Sequence, residues 1–163
     1  MTFDKCLAIL LHEEGGFSAD PHDRGGITNL GVTIAVWRQW VHGPVSIDTM
    51  RALKPADVAP LYRALYWNAA SCDALPPVMA LCVFDFAVNA GVGRAARILQ
   101  KVAGVTADGH IGPKTIAAVK PEMIHAYCDA RRAYYRSLDQ FPRYGRGWTA
   151  RADRIENAAK GMT

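Results

Sequence analysis

The sequence predicts a mostly α-helical protein with one small β element. Apolar side chains recur at helical spacing through most of the chain, as at Phe3, Leu7 and Leu10. A polar, turn-rich loop interrupts this pattern after residue 14, and its segment 27–33 favours a short β-hairpin around Asn29. With 163 residues, half of them hydrophobic, the chain has room for one main domain and a small appended unit.

Residues that start and stop helices divide the chain into its predicted elements. The span 78–91 is almost entirely apolar, so we expect it to be the buried central helix. Pro142, Gly145 and Gly147 predict a non-helical tail over 141–148. Further predicted helices cover 3–14, 33–41, 56–69, 94–103 and 122–138; short ones begin at Ser46 and Pro113, and a last one ends at Lys160.

The chain is moderately basic, with a formal charge of +4 and a pI of about 9.0. Such an excess could meet nucleic acid, anionic lipid or an acidic cell-wall polymer, although a solvated helix face is the more frequent case. No nucleic-acid-binding motif accompanies it, so we expect no nucleic-acid partner. The late arginines that form the excess are Arg131, Arg132, Arg136, Arg143, Arg146, Arg151 and Arg154.

The four cysteines lie far apart in the sequence and show no metal-binding spacing. They favour thiols in a reduced protein, and we expect neither a metal nor another cofactor. No apolar run approaches the roughly 20 residues of a membrane span. Because the N-terminus shows no signal-peptide pattern, we expect synthesis in the cytoplasm without stable membrane insertion. We also expect a monomer.

The strongest functional signal lies at the end of the first predicted helix. Glu14 continues the apolar stripe of Phe3, Leu7 and Leu10, whereas Glu13 points away from it. Apolar surroundings and the negative end of the helix dipole both favour a protonated carboxyl, which is the form that a general acid needs. The sequence therefore indicates Glu14 as a candidate general acid.

The loop that follows carries groups suited to the other half of such a reaction. Asp20 and Asp23 are polar loop carboxylates that should stay ionised, and the hydroxyl of Thr28 could hold a water molecule. One neutral and one ionised carboxyl are the usual means of breaking a bond between two sugars. A glutamate at a helix end is also commonly a solvated surface residue, and loop aspartates commonly cap turns, so this segment alone leaves catalysis open.

Two polar residues, Asp85 and Asn89, interrupt the apolar central helix at an i,i+4 spacing. A buried aspartate needs a partner. In the structural interpretation, both side chains tie down loop backbone from inside the protein. In the functional interpretation, they face a cleft beside Glu14, where Asn89 would bind substrate.

Aromatic and polar residues near the loop are candidate substrate contacts. Because sugars stack on aromatic faces, Phe17, Tyr66 and Trp67 are candidate walls of a cleft. Core packing is nevertheless the favoured role of Trp67 and Trp148. Asn29 is polar and lies in the loop, so it is better placed to touch substrate.

Six motifs, taken in order, resemble the glycoside hydrolase family 108 N-acetylmuramidases, a group of phage endolysins and bacterial secretion-associated muramidases. Each motif is weak alone, but their order over most of the chain is specific. Leu30 departs from the family pattern, because an aromatic residue is common there. The motifs are EGGF at 14–17, DPHDRGGITNLGVT at 20–33, YW at 66–67, FDFAVNAG at 84–91, DGHIGPKT at 108–115, and GW at 147–148 with Arg151.

This resemblance implies a lysozyme-like α+β fold, built as a helical bundle with a short β-hairpin beside the active-site cleft. It implies hydrolysis of the β-1,4 bond between N-acetylmuramic acid and N-acetylglucosamine, with Glu14 as the essential acid. It also implies an N-terminal catalytic region, 1–92, with a C-terminal helical peptidoglycan-binding-like region, 93–163, packed onto it as one compact unit. A holin or a dedicated channel would release the enzyme to act in the periplasm and cell wall.

The order Glu14, Asp23, Thr28 is also similar to that of the phage-type lysozymes. This analogy favours Asp23 over Asp20 as the second carboxylate and gives Thr28 the role of orienting water. Asp20 would then contact substrate. Inversion and retention stay open, because the choice depends on the separation of the carboxylates.

Three other functions stay open at this point. A lytic transglycosylase also uses one glutamate but forms an anhydro product. A non-catalytic wall-binding protein would bind peptidoglycan without cleaving it. An adaptor in phage or secretion-system assembly is the third alternative, for which the sequence gives no direct sign.

Overall fold

The structure is a computed structural model that describes residues 2–19 and 26–161. Within these residues the chain forms nine α-helices and one antiparallel β-hairpin, which confirms the mostly α-helical prediction. None of the described helices is long and apolar enough to cross a bilayer. The helices are α1 (Phe3–Glu14), α2 (Ile34–Val41), α3 (Ile47–Ala52), α4 (Pro55–Tyr62), α5 (Pro77–Ala90), α6 (Val92–Val102), α7 (Pro113–Ala118), α8 (Ile124–Arg136) and α9 (Phe141–Lys160).

The helices group into two compact units. The smaller unit covers Asp4–Arg63, and the larger covers Ala64–Thr163 together with Met1–Phe3. A π-helix, Arg63–Asn68, follows α4 where the sequence predicted an unbroken α-helix over 56–69. A functional division after residue 92 stays a prediction.

The core of the smaller unit contains the apolar stripe predicted for α1. Leu7 and Leu10 are buried, and Trp37 of α2 and Met50 of α3 are buried in the same unit. Glu14 ends the helix and is half-buried. The predicted helical phase is therefore confirmed.

The predicted hairpin forms from β1 (Thr28–Asn29) and β2 (Val32–Thr33), but its turn is not centred on Asn29. Leu30 and Gly31 occupy the two turn positions with φ values of 50° and 75°. Positive φ at both positions is the geometry of a type I′ turn, which matches the natural twist of the strands. The last residue of β2 also caps the next helix, because the Thr33 hydroxyl accepts a hydrogen bond from Val36 N at 3.2 Å at the start of α2.

The larger unit is built around α5. Every residue from Val78 to Ala87 is buried, which confirms the predicted central helix, and α6, α8 and α9 pack against it. An aromatic cluster of Phe3, Trp67 and Phe84 also lies in this core, with ring centroids 5.3–5.9 Å apart. These edge-on contacts are typical of buried aromatic side chains.

The predicted non-helical tail over 141–148 is wrong, because α9 runs unbroken from Phe141 to Lys160. Pro142 lies in the first turn, where a helix needs no backbone N–H from it. Gly145 is buried against Phe141, and a methyl group on it would lie 2.3 Å from the Phe141 ring. This glycine therefore permits close packing instead of ending a helix.

Asp85 has arginine partners, not the loop backbone that the structural interpretation expected. Its Oδ2 lies 2.6 Å from Arg131 Nη2, and its Oδ1 accepts a hydrogen bond from Arg151 Nη2 at 2.7 Å. Arg132 is likewise paired, with Asp153 and Glu156. These internal pairs remove three of the late arginines from the free basic surface that the sequence suggested.

Candidate active site

Glu14 lies against the turn of the hairpin. A methyl group placed on Gly31 would come within 2.8 Å of Glu14 Cγ and 2.9 Å of Glu14 Oε2. The same methyl group would lie 2.6 Å from the Tyr62 hydroxyl. Only a glycine leaves room for this contact, because real Cβ atoms do not approach other atoms so closely. The absence of a side chain at Gly31 therefore sets how close the turn comes to the Glu14 carboxyl.

Tyr62 holds the turn in this position. It is buried at the end of α4, and its hydroxyl donates a hydrogen bond to Leu30 O at 2.8 Å. This bond fixes a turn residue, Leu30, whose positive φ costs about 1–2 kcal/mol for a residue with a side chain. Tyr62 thus positions the turn against Glu14.

Asn29 anchors the other side of the hairpin. Its side chain is buried, and Nδ2 donates to Met50 O at 2.8 Å, with longer contacts to Arg51 O and Leu53 O at 3.4 Å. These carbonyl groups lie at the C-terminal end of α3. The side chain expected to touch substrate is therefore engaged with backbone, and its placement favours a positioning role.

Thr28 lies where the loop returns to the hairpin. Its backbone pairs with Ser18 through two 2.9 Å hydrogen bonds in an antiparallel bridge. The Thr28 hydroxyl makes no hydrogen bond to a described residue and is half-buried. Asp20 and Asp23 belong to the segment 20–25, which lies outside the described residues.

The candidate aromatic walls fall in different environments. Phe17 is half-buried, and the Arg51 guanidinium lies over its ring at 4.8 Å. Tyr66 is half-buried in the π-helix. Trp67 is 1% exposed in the core, and this burial supports the packing role that was favoured for it.

Asn89 is exposed near the end of α5, where its Oδ1 accepts a 2.7 Å hydrogen bond from the Tyr135 hydroxyl. Tyr135 in turn accepts a bond from Arg131 Nε at 2.8 Å. Because Arg131 also pairs with Asp85, a chain of polar contacts runs from the buried aspartate to Asn89. The Trp148 indole lies beside Tyr135, with ring centroids 5.5 Å apart.

Sequence reasoning missed Tyr62 and the contact of Gly31 with Glu14. Tyr62 reads as an ordinary aromatic of an amphipathic helix, and its partner, Leu30, lies 32 positions earlier in the chain. Gly31 was noticed only as part of a motif. A local sequence pattern does not show which distant side chain a turn will contact.

The described residues hold no group of three or more His, Cys, Asp or Glu side chains that could bind a metal ion. The Glu14 carboxyl can donate a proton, and the half-buried Thr28 hydroxyl can hold a water molecule. These are the elements of acid-catalysed cleavage of a glycosidic bond.

Two family models match the chain in succession. The glycosyl hydrolase 108 model matches residues 7–91, which is more than half of the chain. The chain belongs to the glycosyl hydrolase 108 family. A second model, described as a predicted peptidoglycan domain, matches residues 94–153. The first match includes Glu14, Thr28 and Tyr62, and together the two matches show a glycoside hydrolase that acts on peptidoglycan.

A solved structure supports this family membership. The chain is 39% identical to the protein described as "Structure of Brucella abortus SagA", with a TM-score of 0.85. The match covers 98% of this chain and 94% of that one. No curated protein matches the chain. The predicted resemblance to the family and the predicted lysozyme-like α+β fold are confirmed.

Proposed function

We propose that this glycosyl hydrolase 108 protein is an N-acetylmuramidase in which Glu14 protonates the glycosidic oxygen. The bond cleaved is the β-1,4 bond between N-acetylmuramic acid and N-acetylglucosamine. The observation that carries this proposal is the close approach of the Glu14 carboxyl to Gly31, in a turn held by Tyr62. A carboxyl fixed by its surroundings is what a general acid requires, because its proton must meet the leaving oxygen in one geometry.

We further propose that Asp23 acts from the other side of the sugar. It stabilises the positive charge that develops on the ring, or it helps to position the attacking water, while Thr28 orients that water. The Thr28 hydroxyl makes no hydrogen bond to a described residue, which supports its part in this proposal. Asp20 is the rival for the role of Asp23.

Phe17, Asp20 and Tyr66 stay proposed substrate contacts. Phe17 and Tyr66 each keep part of a ring exposed, so a sugar face can pack on them. Action in the periplasm or cell wall, release by a holin or channel, and a monomeric state stay predictions.

The proposal is tested by digesting purified peptidoglycan with the wild-type protein, Glu14→Gln and Glu13→Gln. Loss of the acid should lower the rate of release of soluble fragments by on the order of 10³-fold. Glu13→Gln is the matched control, because it removes the neighbouring carboxyl and should leave the rate within about twofold. Retention of activity by Glu14→Gln would show that another group is the acid.

The same assay separates the two loop carboxylates. Asp23→Asn should lose most of the activity, and Asp20→Asn should weaken substrate binding while keeping kcat. The reverse result would exchange the roles of Asp20 and Asp23. A protein that sediments with peptidoglycan but releases no fragments from it would be a wall-binding protein instead of an enzyme.

A further inference from the structure

A groove lies along α6 and α8, and its exposed charges are all positive. The groove has a volume of about 740 Å³. Arg94, Arg97 and Lys101 of α6 line it, and the small side chains of Ala130 and Ala133 on α8 leave it open. We call this the α6–α8 groove.

A second cavity of about 320 Å³ continues the groove, since both are lined by Arg94 and Tyr134. The second cavity adds two exposed amides, Asn89 and Gln140, and the partly exposed indole of Trp148. Amides and an aromatic face are the groups that bind acetamido and hydroxyl groups of a sugar. Cationic and sugar-binding chemistry therefore adjoin on one surface of the larger unit.

The cations of the groove have no acidic partner in the part of the chain that the structure describes. Among the described residues, none of Arg94, Arg97 and Lys101 forms an ion pair. They follow one another at i, i+3 and i+7 on a helix that contains no acidic residue. Like charges at such spacings repel each other, so they slightly destabilise the helix. By contrast, Arg131 and Arg132 on α8 are both paired with acids.

Two of these cations are held in place by neutral groups. The Arg94 guanidinium lies over the Tyr134 ring at 4.5 Å and donates to the Tyr134 hydroxyl. The Arg97 guanidinium lies against Gly109, where a methyl group would come within 3.1 Å of its Cζ, and it donates to Gly93 O at 3.4 Å. An arginine that is oriented in advance loses less entropy when it binds a carboxylate, and its planar fork fits that group.

We propose that the α6–α8 groove binds the acidic stem peptide of peptidoglycan through the free carboxylates of that peptide. The muramic acid that carries the peptide lies against Trp148 and Asn89 in the adjoining cavity. This inference deepens the proposed function and rests on peptidoglycan as the substrate. Seven of the ten residues that line the groove, including its three cations, fall within residues 94–153, the part that matches the predicted peptidoglycan domain. Charge complementarity favours the peptide over the glycan, because the neutral glycan has no carboxylates that could pair with the three cations.

The test measures binding by calorimetry of a soluble N-acetylglucosaminyl-N-acetylmuramyl peptide, which a muramidase releases and does not cleave further. One ligand has free peptide carboxylates, and its matched partner has them amidated. The wild-type protein should bind the acidic ligand about tenfold or more tightly than the amidated one, since charged hydrogen bonds are lost. The preference should also weaken as salt is added.

The protein variants supply a second arm. Arg94→Gln, Arg97→Gln and Lys101→Gln combined should remove the preference for the acidic ligand. Lys114→Gln, Lys120→Gln and Arg146→Gln combined form the matched control, because they remove the same charge from exposed positions that do not line the groove. The control variant should keep the preference. Thermal melts of both variants verify folding, and the amidated ligand tests the proposal on the wild-type protein alone.

The proposal is overturned if the wild-type protein binds both ligands equally, or if both triple variants lose affinity to the same extent. It is also overturned if a short DNA duplex or vesicles of anionic lipid bind the groove as tightly as the acidic ligand. Hydrolysis is measured separately. Selective binding with an active Glu14→Gln variant would refute the mechanism and leave the groove assignment standing, whereas hydrolysis without selective binding would refute the groove assignment alone.

Discussion

Gly31 is the residue whose surroundings bear most directly on the candidate acid. Its lack of a side chain lets a strand turn approach the Glu14 carboxyl and the Tyr62 hydroxyl together. The family motif records this glycine, but the physical requirement for it comes from a contact across the fold. The position of the Glu14 carboxyl therefore depends on the space at Gly31 as well as on charge.

We expect Gly31→Ala to lower the rate of peptidoglycan hydrolysis by at least about tenfold. The new methyl group cannot fit at 2.6–2.9 Å from Tyr62 and Glu14, so it must displace the carboxyl or the turn, at a cost of about 1–3 kcal/mol. Gly104→Ala is the matched control, because Gly104 has a similar φ of 70° but no atom within 4 Å of the added methyl group. Equal losses of activity in the two variants would mean that backbone strain alone explains the effect.

Tyr62→Phe removes the hydroxyl that holds the turn. It should cost about 1 kcal/mol of folding stability and lower kcat more than it raises KM, since the turn becomes looser around Glu14. Tyr127→Phe removes a comparable buried bond to Ala95 O, at 3.3 Å, and should leave kcat unchanged. Chemical denaturation and steady-state kinetics measure the two effects. An unchanged kcat in Tyr62→Phe would show that the turn needs no such support.

At the scale of elements, the ion pairs of Asp85 join α5 to α8 and α9. The carboxylate is fully buried between Arg131 and Arg151. Arg131 Nη1 is buried without a hydrogen-bond partner among the described residues, so this guanidinium depends on Asp85 for its charge balance. Burial of a pair is a weak source of stability, but breaking it leaves a buried charge uncompensated.

Asp85→Asn should therefore destabilise the protein by about 3–5 kcal/mol and lower Tm by about 10 °C. The control is Asp48→Asn, which breaks the exposed pair with Arg51 and should shift Tm by no more than about 1 °C. Differential scanning calorimetry gives both values. A small effect of Asp85→Asn would mean that water or a neighbouring group replaces the lost charge.

Glu156 joins α8 to α9, and its lowered pKa should make the stability of the fold depend on pH. Burial raises the pKa of Glu156, but hydrogen bonds from Lys160, Arg132 and His125 outweigh it and lower the pKa to about 2. A carboxyl whose pKa is lowered from 4.5 stabilises the fold above that pH, and the contribution is lost as the pH falls towards 2. The full contribution is about 3 kcal/mol.

Glu156→Gln should therefore destabilise the protein by up to about 3 kcal/mol at pH 7 and by little at pH 2. Urea unfolding at several pH values measures the difference. Glu122→Gln removes an exposed carboxyl, and its effect on the free energy of unfolding should not change with pH in this way. If Glu156→Gln lowered the free energy of unfolding by the same amount at pH 7 and at pH 2, the ionised Glu156 carboxylate would not be the source of the lost stability.

At the scale of the whole molecule, the sequence predicted what depends on local pattern. The helical spacing predicted the buried stripe of α1, the apolar run predicted the buried α5, and the motif order predicted the family and fold. Contacts between distant segments could not be predicted in this way. Arg151 lies 66 positions from Asp85, and nothing in the local pattern of either residue indicates the other.

The errors have the same origin. Gly145 and Pro142 suggested a break in the last helix, but close packing on Phe141 and the tolerance of a first turn for proline explain both residues. Sequence also cannot show that the Asn29 amide reaches Met50 O, and a contact of Asn29 with substrate stays a prediction. In each case a tertiary contact involves a residue with a familiar local preference.

The most direct test of the central claim is the chemical identity of the new chain end after digestion of purified peptidoglycan. Borohydride reduction of the products, followed by mass spectrometry, distinguishes the possible ends. Hydrolysis with Glu14 as the acid should leave reduced N-acetylmuramic acid at the new ends with the wild-type protein and none with Glu14→Gln. New ends that carry anhydro-muramic acid or reduced N-acetylglucosamine, or equal release by Glu14→Gln, would contradict it.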